Sequence, residues 1–153
     1  MKIFASNNFE QICPYMYGSV PILGADVATD ALFYNLSKFS NFDEYHFFLP
    51  DNELEKLFKA DLPYLQKYKN DKRIKFINVS EIPECFNKND YTVFFTPGLH
   101  IYRNIQIRNT FSKKNIPVCG ITHTLSYYYD FEKTYLLNLI NNNEDFDAII
   151  CTS

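Results

Sequence analysis

Six short runs rich in β-branched and aromatic residues alternate with longer stretches of helical periodicity, and this alternation restricts the chain to βαβ units on a mainly parallel sheet. The strand candidates are Lys2–Ala5, Tyr45–Leu49, Ile74–Val79, Thr92–Thr96, Val118–Thr122 and Ala148–Thr152. A first helix is expected over Asp26–Phe39. Its Ala28, Leu32, Leu36 and Phe39 share one face at helical spacing, and that face should pack on the sheet. A second helical pattern covers Glu53–Tyr68, with Leu54, Leu57, Phe58, Leu62 and Leu65 apolar. Pro63 falls inside it and should break or kink it, because proline removes a backbone donor. A third helix is expected over Tyr102–Lys113 and a fourth over Phe131–Asn142, with Tyr135, Leu136 and Leu139 turned inward. The expected fold is α/β and Rossmann-like: a mainly parallel sheet of about six strands with helices on both faces, forming a single domain over residues 1–153.

A chain of 153 residues can bury a substantial core in one domain. Its 46% hydrophobic and 22% charged residues are ordinary for a globular protein, so composition names no special class. The net charge is −3 and no basic stripe appears, which argues against nucleic acid as the main partner. No basic segment followed by an apolar stretch opens the sequence, and no apolar run approaches the ~20 residues that span a bilayer. Cys13, Cys85, Cys119 and Cys151 form no CxxC pair. Cys119 and Cys151 lie in apolar strand runs, so reduced, buried thiols in a cytoplasmic protein are expected. Peripheral membrane contact stays open.

Candidate ligand residues cluster where strands end. The run Pro117–Ser126 carries a buried strand into Thr122-His123-Thr124, which puts an imidazole and two hydroxyls at a strand's carboxyl end. Doubly wound folds bind their ligands there. His123 can donate to a sugar hydroxyl or a phosphate oxygen, or hydrogen-bond nearby backbone. Thr96-Pro97-Gly98-Leu99-His100 follows another strand. Gly98 allows a turn or a close approach to ligand, His100 reads as a surface or packing histidine, and His46 as structural. Ser6–Leu23 is long for a connection in a compact α/β unit and reads as a binding loop. Its end, Gly18-Ser19-Val20-Pro21-Ile22-Leu23-Gly24, leads into the first helix, whose exposed amides favour a diphosphate. The spacing is not G-x-G-x-x-G and no Walker lysine follows, so a nicotinamide or ATP fingerprint is absent. Asp26 would repel a phosphate if turned inward, or serves as a helix-start acid. The dispersed histidines and cysteines lack zinc-ligand spacing, and G-x-S-x-G is missing. No cofactor and no metal are expected.

The order and separation of these segments resemble the N-terminal domain of bacterial GT-B glycosyltransferases of the retaining kind, often grouped as family 4 or group 1. The likeness spans essentially the whole chain. It rests on the first strand with its glycine-containing loop, the Asp26–Phe39 helix, the Thr122-His123-Thr124 strand end, and the closing Phe146–Ser153. In such enzymes two Rossmann-like domains face each other, the first shaping the acceptor site and the second holding most of the nucleotide-sugar. The resemblance implies that His123 is catalytic and lies beside the donor sugar. It also implies that Gly18, Ser19 and Gly24 border the diphosphate or acceptor, and that Thr96, Gly98, Thr122 and Thr124 line the cleft. The loop departs from the family's adjacent glycines, and the family's C-terminal Glu motif and basic diphosphate-binding residues have no counterpart here. The last run, Asp147–Ser153, reads as a buried parallel strand after which a helix would normally follow. The chain is therefore expected to be the acceptor-side half of a two-domain transferase, inactive alone, whose partners are a nucleotide-sugar, a sugar or lipid acceptor and a C-terminal domain. Two other readings remain: a stand-alone Rossmann-like binding module, and a small enzyme acting on nucleotides or sugar phosphates. A transferase half should expose an apolar face where its partner would pack.

Overall fold

A computed structural model of the chain describes residues 1–7, 24–59, 63–122, 131–140 and 144–151. Six strands, β1 (Ile3–Ser6), β2 (Glu44–Leu49), β3 (Ile74–Asn78), β4 (Tyr91–Thr96), β5 (Val118–Ile121) and β6 (Ala148–Ile150), form one sheet in the order β3-β2-β1-β4-β5-β6. Every neighbouring pair is parallel. All six expected strands are present, and the expected Rossmann-like α/β fold is what the chain adopts.

Helices α1 (Gly24–Phe39), α2 (Asp51–Lys59) and α3 (Pro63–Lys69) cover one face. The expected break at Pro63 occurs: the proline opens α3, where its missing N–H costs no hydrogen bond. Helices α4 (Ile82–Lys88), α5 (Ile101–Phe111) and α6 (Phe131–Ile140) complete the set of described helices. Helices α4 and α5 build the core of the opposite face, and α6 packs beside α5. Strand alternation divides the core accordingly. Phe4 and Phe47 join Phe33 and Phe95 in an aromatic cluster on the first face, with Phe33 set edge-on to Phe4, Phe47 and Phe95 at 5.2–5.8 Å. Ile3, Ala5 and Phe48 pack with Phe86 and Ile105 on the second.

Three expectations about faces fail. In α1 the buried row is Thr29, Phe33 and Ser37, whereas Ala28 is exposed, Leu32 and Leu36 are half-buried and Phe39 is 73% exposed. The expected stripe therefore looks sideways, toward the strip of sheet beside the helix. In α6, Leu136 and Leu139 are more than half exposed, and Asn138 is the buried one among the described side chains. Asn138 wins because its carboxamide satisfies two backbone groups of the turn into α5: Oδ1 accepts from Tyr102 N–H at 3.0 Å and Nδ2 donates to the Leu99 carbonyl at 2.9 Å. The side chain of Tyr135 lies outside the described part. Third, β6 is parallel but not buried. It is an edge strand with exposed Ala148 and Ile150, and Cys151 after it is an exposed thiol rather than a buried one.

The departures in α1 and β6 go together. On the face bearing α1, no described helix lies over β4, β5 and β6, so their side chains there form the floor of an apolar groove. Val93, Phe95, Cys119, Ile121 and Ile150 make the floor and Leu32 and Leu36 of α1 make one wall, around a volume of about 200 Å³. No helix among the described residues is long and apolar enough to cross a membrane.

Candidate ligand crevice at the strand switch point

The strand order reverses between β1 and β4, because the chain leaves β1 for β2 and leaves β4 for β5 on opposite sides. Helices α1 and α5 follow these strands on opposite faces. The carboxyl edge between these two strands is where open α/β sheets bind ligands, and it is the candidate ligand crevice.

Ser6 closes β1 and is fully buried, and half-buried Asn7 follows it. Neither Ser6 Oγ nor Asn7 Oδ1 has a hydrogen-bond partner, although both atoms are shielded from solvent. An orphaned buried polar atom costs on the order of 1–3 kcal/mol, and such costs tend to persist where a site needs the group. Ser6 is in register with Phe95, so the next residue of β4, Thr96, stands at the neighbouring strand exit. Thr96 is 2% exposed and Thr122, at the exit of β5, is 4% exposed. The Thr122 N–H donates to the Ile150 carbonyl at 2.9 Å, which holds that exit against β6. Three adjacent strands thus each present a hydroxyl residue at the carboxyl edge.

The Pro97–His100 turn folds back over this edge. A methyl group on Gly120 would lie 2.6 Å from the Gly98 carbonyl oxygen and 2.4 Å from Ile101 Cγ2, so the turn reaches this position only because residue 120 lacks a side chain. A methyl group on Gly98, by contrast, meets nothing within 4 Å. Open space therefore lies in front of Gly98. Ser6, Asn7, Thr96, Gly98 and Thr122 are all uncharged. Asp26 lies in the first turn of α1.

Of the residues singled out in the sequence, Thr96, Gly98 and Thr122 are brought to one edge of the sheet, and Gly24 is the first residue of α1. His123, Thr124, Gly18 and Ser19 lie outside the described residues. Ser6 and Asn7 open the Ser6–Leu23 segment that was expected to be a binding loop, but neither was singled out as a site residue. The strand-exit rule that drew attention to Thr96 and Thr122 applies equally to β1, and would have found them.

Two other histidines are placed. His100 is the N-cap residue of α5, half-buried, with its ring edge-on to Tyr102 at 5.9 Å. His46 is 4% exposed, its Nδ1 3.0 Å from the Tyr91 hydroxyl and its Nε2 2.8 Å from Glu44. It is a core histidine, as expected. Burial holds its pKa below the ordinary value, although the Glu44 hydrogen bond pulls upward. Among the described residues no group of three or more His, Cys, Asp and Glu side chains could hold a metal ion. No family model, curated protein or solved structure matches this chain.

Proposed function

We propose that this chain is the acceptor-side half of a cytoplasmic glycosyltransferase, completed by a second domain that carries the nucleotide-sugar. The observation that carries the reading is the pair of orphaned atoms, Ser6 Oγ and Asn7 Oδ1, at the switch point. The Asn7 oxygen needs a donor, and the Ser6 hydroxyl can both donate and accept. A phosphate dianion offers no donor. A sugar offers hydroxyls that do both, and the uncharged Thr96, Gly98 and Thr122 beside the pair suit a neutral polyol. Transfer chemistry needs groups that stabilise a leaving diphosphate. The described crevice residues supply no cation for that role, so it falls to the second domain.

The test is an amide NMR titration of the labelled protein with methyl glycosides and, separately, with a nucleoside diphosphate. Shifts centred on Ser6, Asn7, Thr96, Gly98 and Thr122 with the glycosides are expected, and much smaller ones with the nucleotide. Glycosides that move none of these signals would sink the proposal.

A second reading has its own support in the apolar groove over β4–β6. A binding module without catalysis would use that groove to hold a partner and leave the crevice idle. Sugar transfer that appears only when the second domain is added separates the two readings.

A further inference from the structure

Strands β3 and β6 end the sheet, and their edges differ. Strand β3 carries Lys75, which donates to Glu44 at 2.6 Å, and is entered through Lys72 and Arg73. Charge of this kind guards an edge against a further strand. Strand β6 is Ala148-Ile149-Ile150, followed by Cys151, with no charge, no proline and no break in its register on β5. Ala148 and Ile150 are both exposed, Ile150 at 50%.

The ladder fixes which backbone groups of β6 look outward. The Ile150 carbonyl accepts from the Thr122 N–H at 2.9 Å, so Ile150 faces β5. Successive residues of a strand direct their backbone groups to opposite sides, and the N–H and C=O of Ile149 therefore face away from the sheet. A donor and an acceptor on one outward residue are self-complementary. Two copies related by a two-fold axis at Ile149 exchange both bonds, as a hydrogen-bonded antiparallel pair does. The same axis sets Ala148 of one copy opposite Ile150 of the other, small against large. Both lie on the α1 face, because Ile150 lines the apolar groove, as does Cys119, the register partner of Ala148. Charge agrees with this arrangement. Glu144 and Asp145 precede β6, so antiparallel pairing holds the exposed acids of the two copies at opposite ends, where parallel pairing would set them side by side. Asp147 comes opposite Cys151 and not opposite another carboxylate.

We propose that β6 is a self-association edge, at which two copies of this chain pair antiparallel about Ile149 and continue the sheet across the axis. With three residues a side the contact is short, and the dimer is weak. The guarded β3 edge stops growth at two copies. This inference does not rest on the transferase reading, although a domain seated in the groove would compete with the second copy for Ile150. The test is sedimentation equilibrium of the wild type, of Ile150→Lys and of Phe58→Lys, the last at an exposed side chain of α2, on the β3 side of the molecule. A monomer–dimer equilibrium with a dissociation constant on the order of 0.1 mM is expected. Ile150→Lys, which puts an ammonium on the edge, should weaken it about tenfold or more, and Phe58→Lys should leave it unchanged. Register is read by Ile149→Cys in a Cys151→Ser background. The Cα atoms of a hydrogen-bonded antiparallel pair lie about 5.5 Å apart, within the span of a disulfide, so mild oxidation should link two copies, and the background alone should stay unlinked. A wild type that stays monomeric to about 1 mM overturns the proposal. So does association that Ile150→Lys leaves intact, or that runs on past the dimer. Dimers that Ile149→Cys fails to link overturn the pairing about Ile149.

Discussion

His46 links Glu44 and Tyr91 inside the core, and its titration reports directly on folding. Its folded pKa lies below the ordinary histidine value of 6.5, because burial disfavours the cation. The imidazole's contribution is therefore complete above the ordinary value and is lost as pH falls through the depressed one. Glu44 is also lowered, first through its Lys75 hydrogen bond, so its loss follows at still lower pH. Denaturant unfolding is expected to show a lower midpoint at about pH 5 than at about pH 7.5, and replacing His46 by Gln should flatten the upper part of that decline. A wild-type midpoint that does not fall over this interval would contradict the buried placement. Two glycines give a sharper contrast. Gly120→Ala drives a methyl group into the Gly98 carbonyl and should cost about 1–3 kcal/mol. Gly98→Leu enters open space and should leave the unfolding midpoint near wild type. Thermal melts of the two variants check both. Thr96, Gly98 and Thr122 were legible because strand exits can be read from where apolar runs stop. Ser6 and Asn7 fell within the expected Ser6–Leu23 binding loop, where its glycines rather than these two residues were singled out.

At the scale of elements, the strands were legible to within a residue or two because each is a compact apolar run. The α4 helix was not, since Ile82–Lys88 is short and buries only Ile82 and Phe86. Helix faces were harder to read than helix positions. In α1 the apolar row Ala28, Leu32, Leu36 and Phe39 lies beside the row Thr29, Phe33 and Ser37, whose one large apolar residue meets the sheet. Phe33 is that residue, wedged edge-on among Phe4, Phe47 and Phe95. Phe33→Ala should accordingly cost about 3–5 kcal/mol in denaturant unfolding, whereas Phe39→Ala, at 73% exposure, should cost well under half of that. In α6 a hydrogen-bonding asparagine displaces leucines from the inner face, an outcome no hydrophobic pattern anticipates. Leu136→Gln and Leu139→Gln should change stability by no more than about 0.5 kcal/mol. A large loss in either variant would show that α6 packs the other way round.

At the scale of the whole molecule, the described helices cover the α1 face of the sheet only in part. Parallel sheets normally have helices on both faces, yet on the α1 face the described helices stop at β1. The side chains of β4, β5 and β6 continue the apolar surface beyond that point. Leu32 and Leu36 of α1 face this surface. On the proposed reading, this groove is where the second domain docks. Ile150→Lys and Leu36→Lys should abolish that docking in a pull-down with the second domain. The most direct test of the central claim is calorimetric titration of methyl glycosides into the wild type and into Gly98→Leu, whose added side chain enters the crevice. Saturable binding in the millimolar range by the wild type, lost in the variant with its unfolding midpoint unchanged, is the expected result. No binding by the wild type, or equal binding by both, would contradict a sugar site at the switch point.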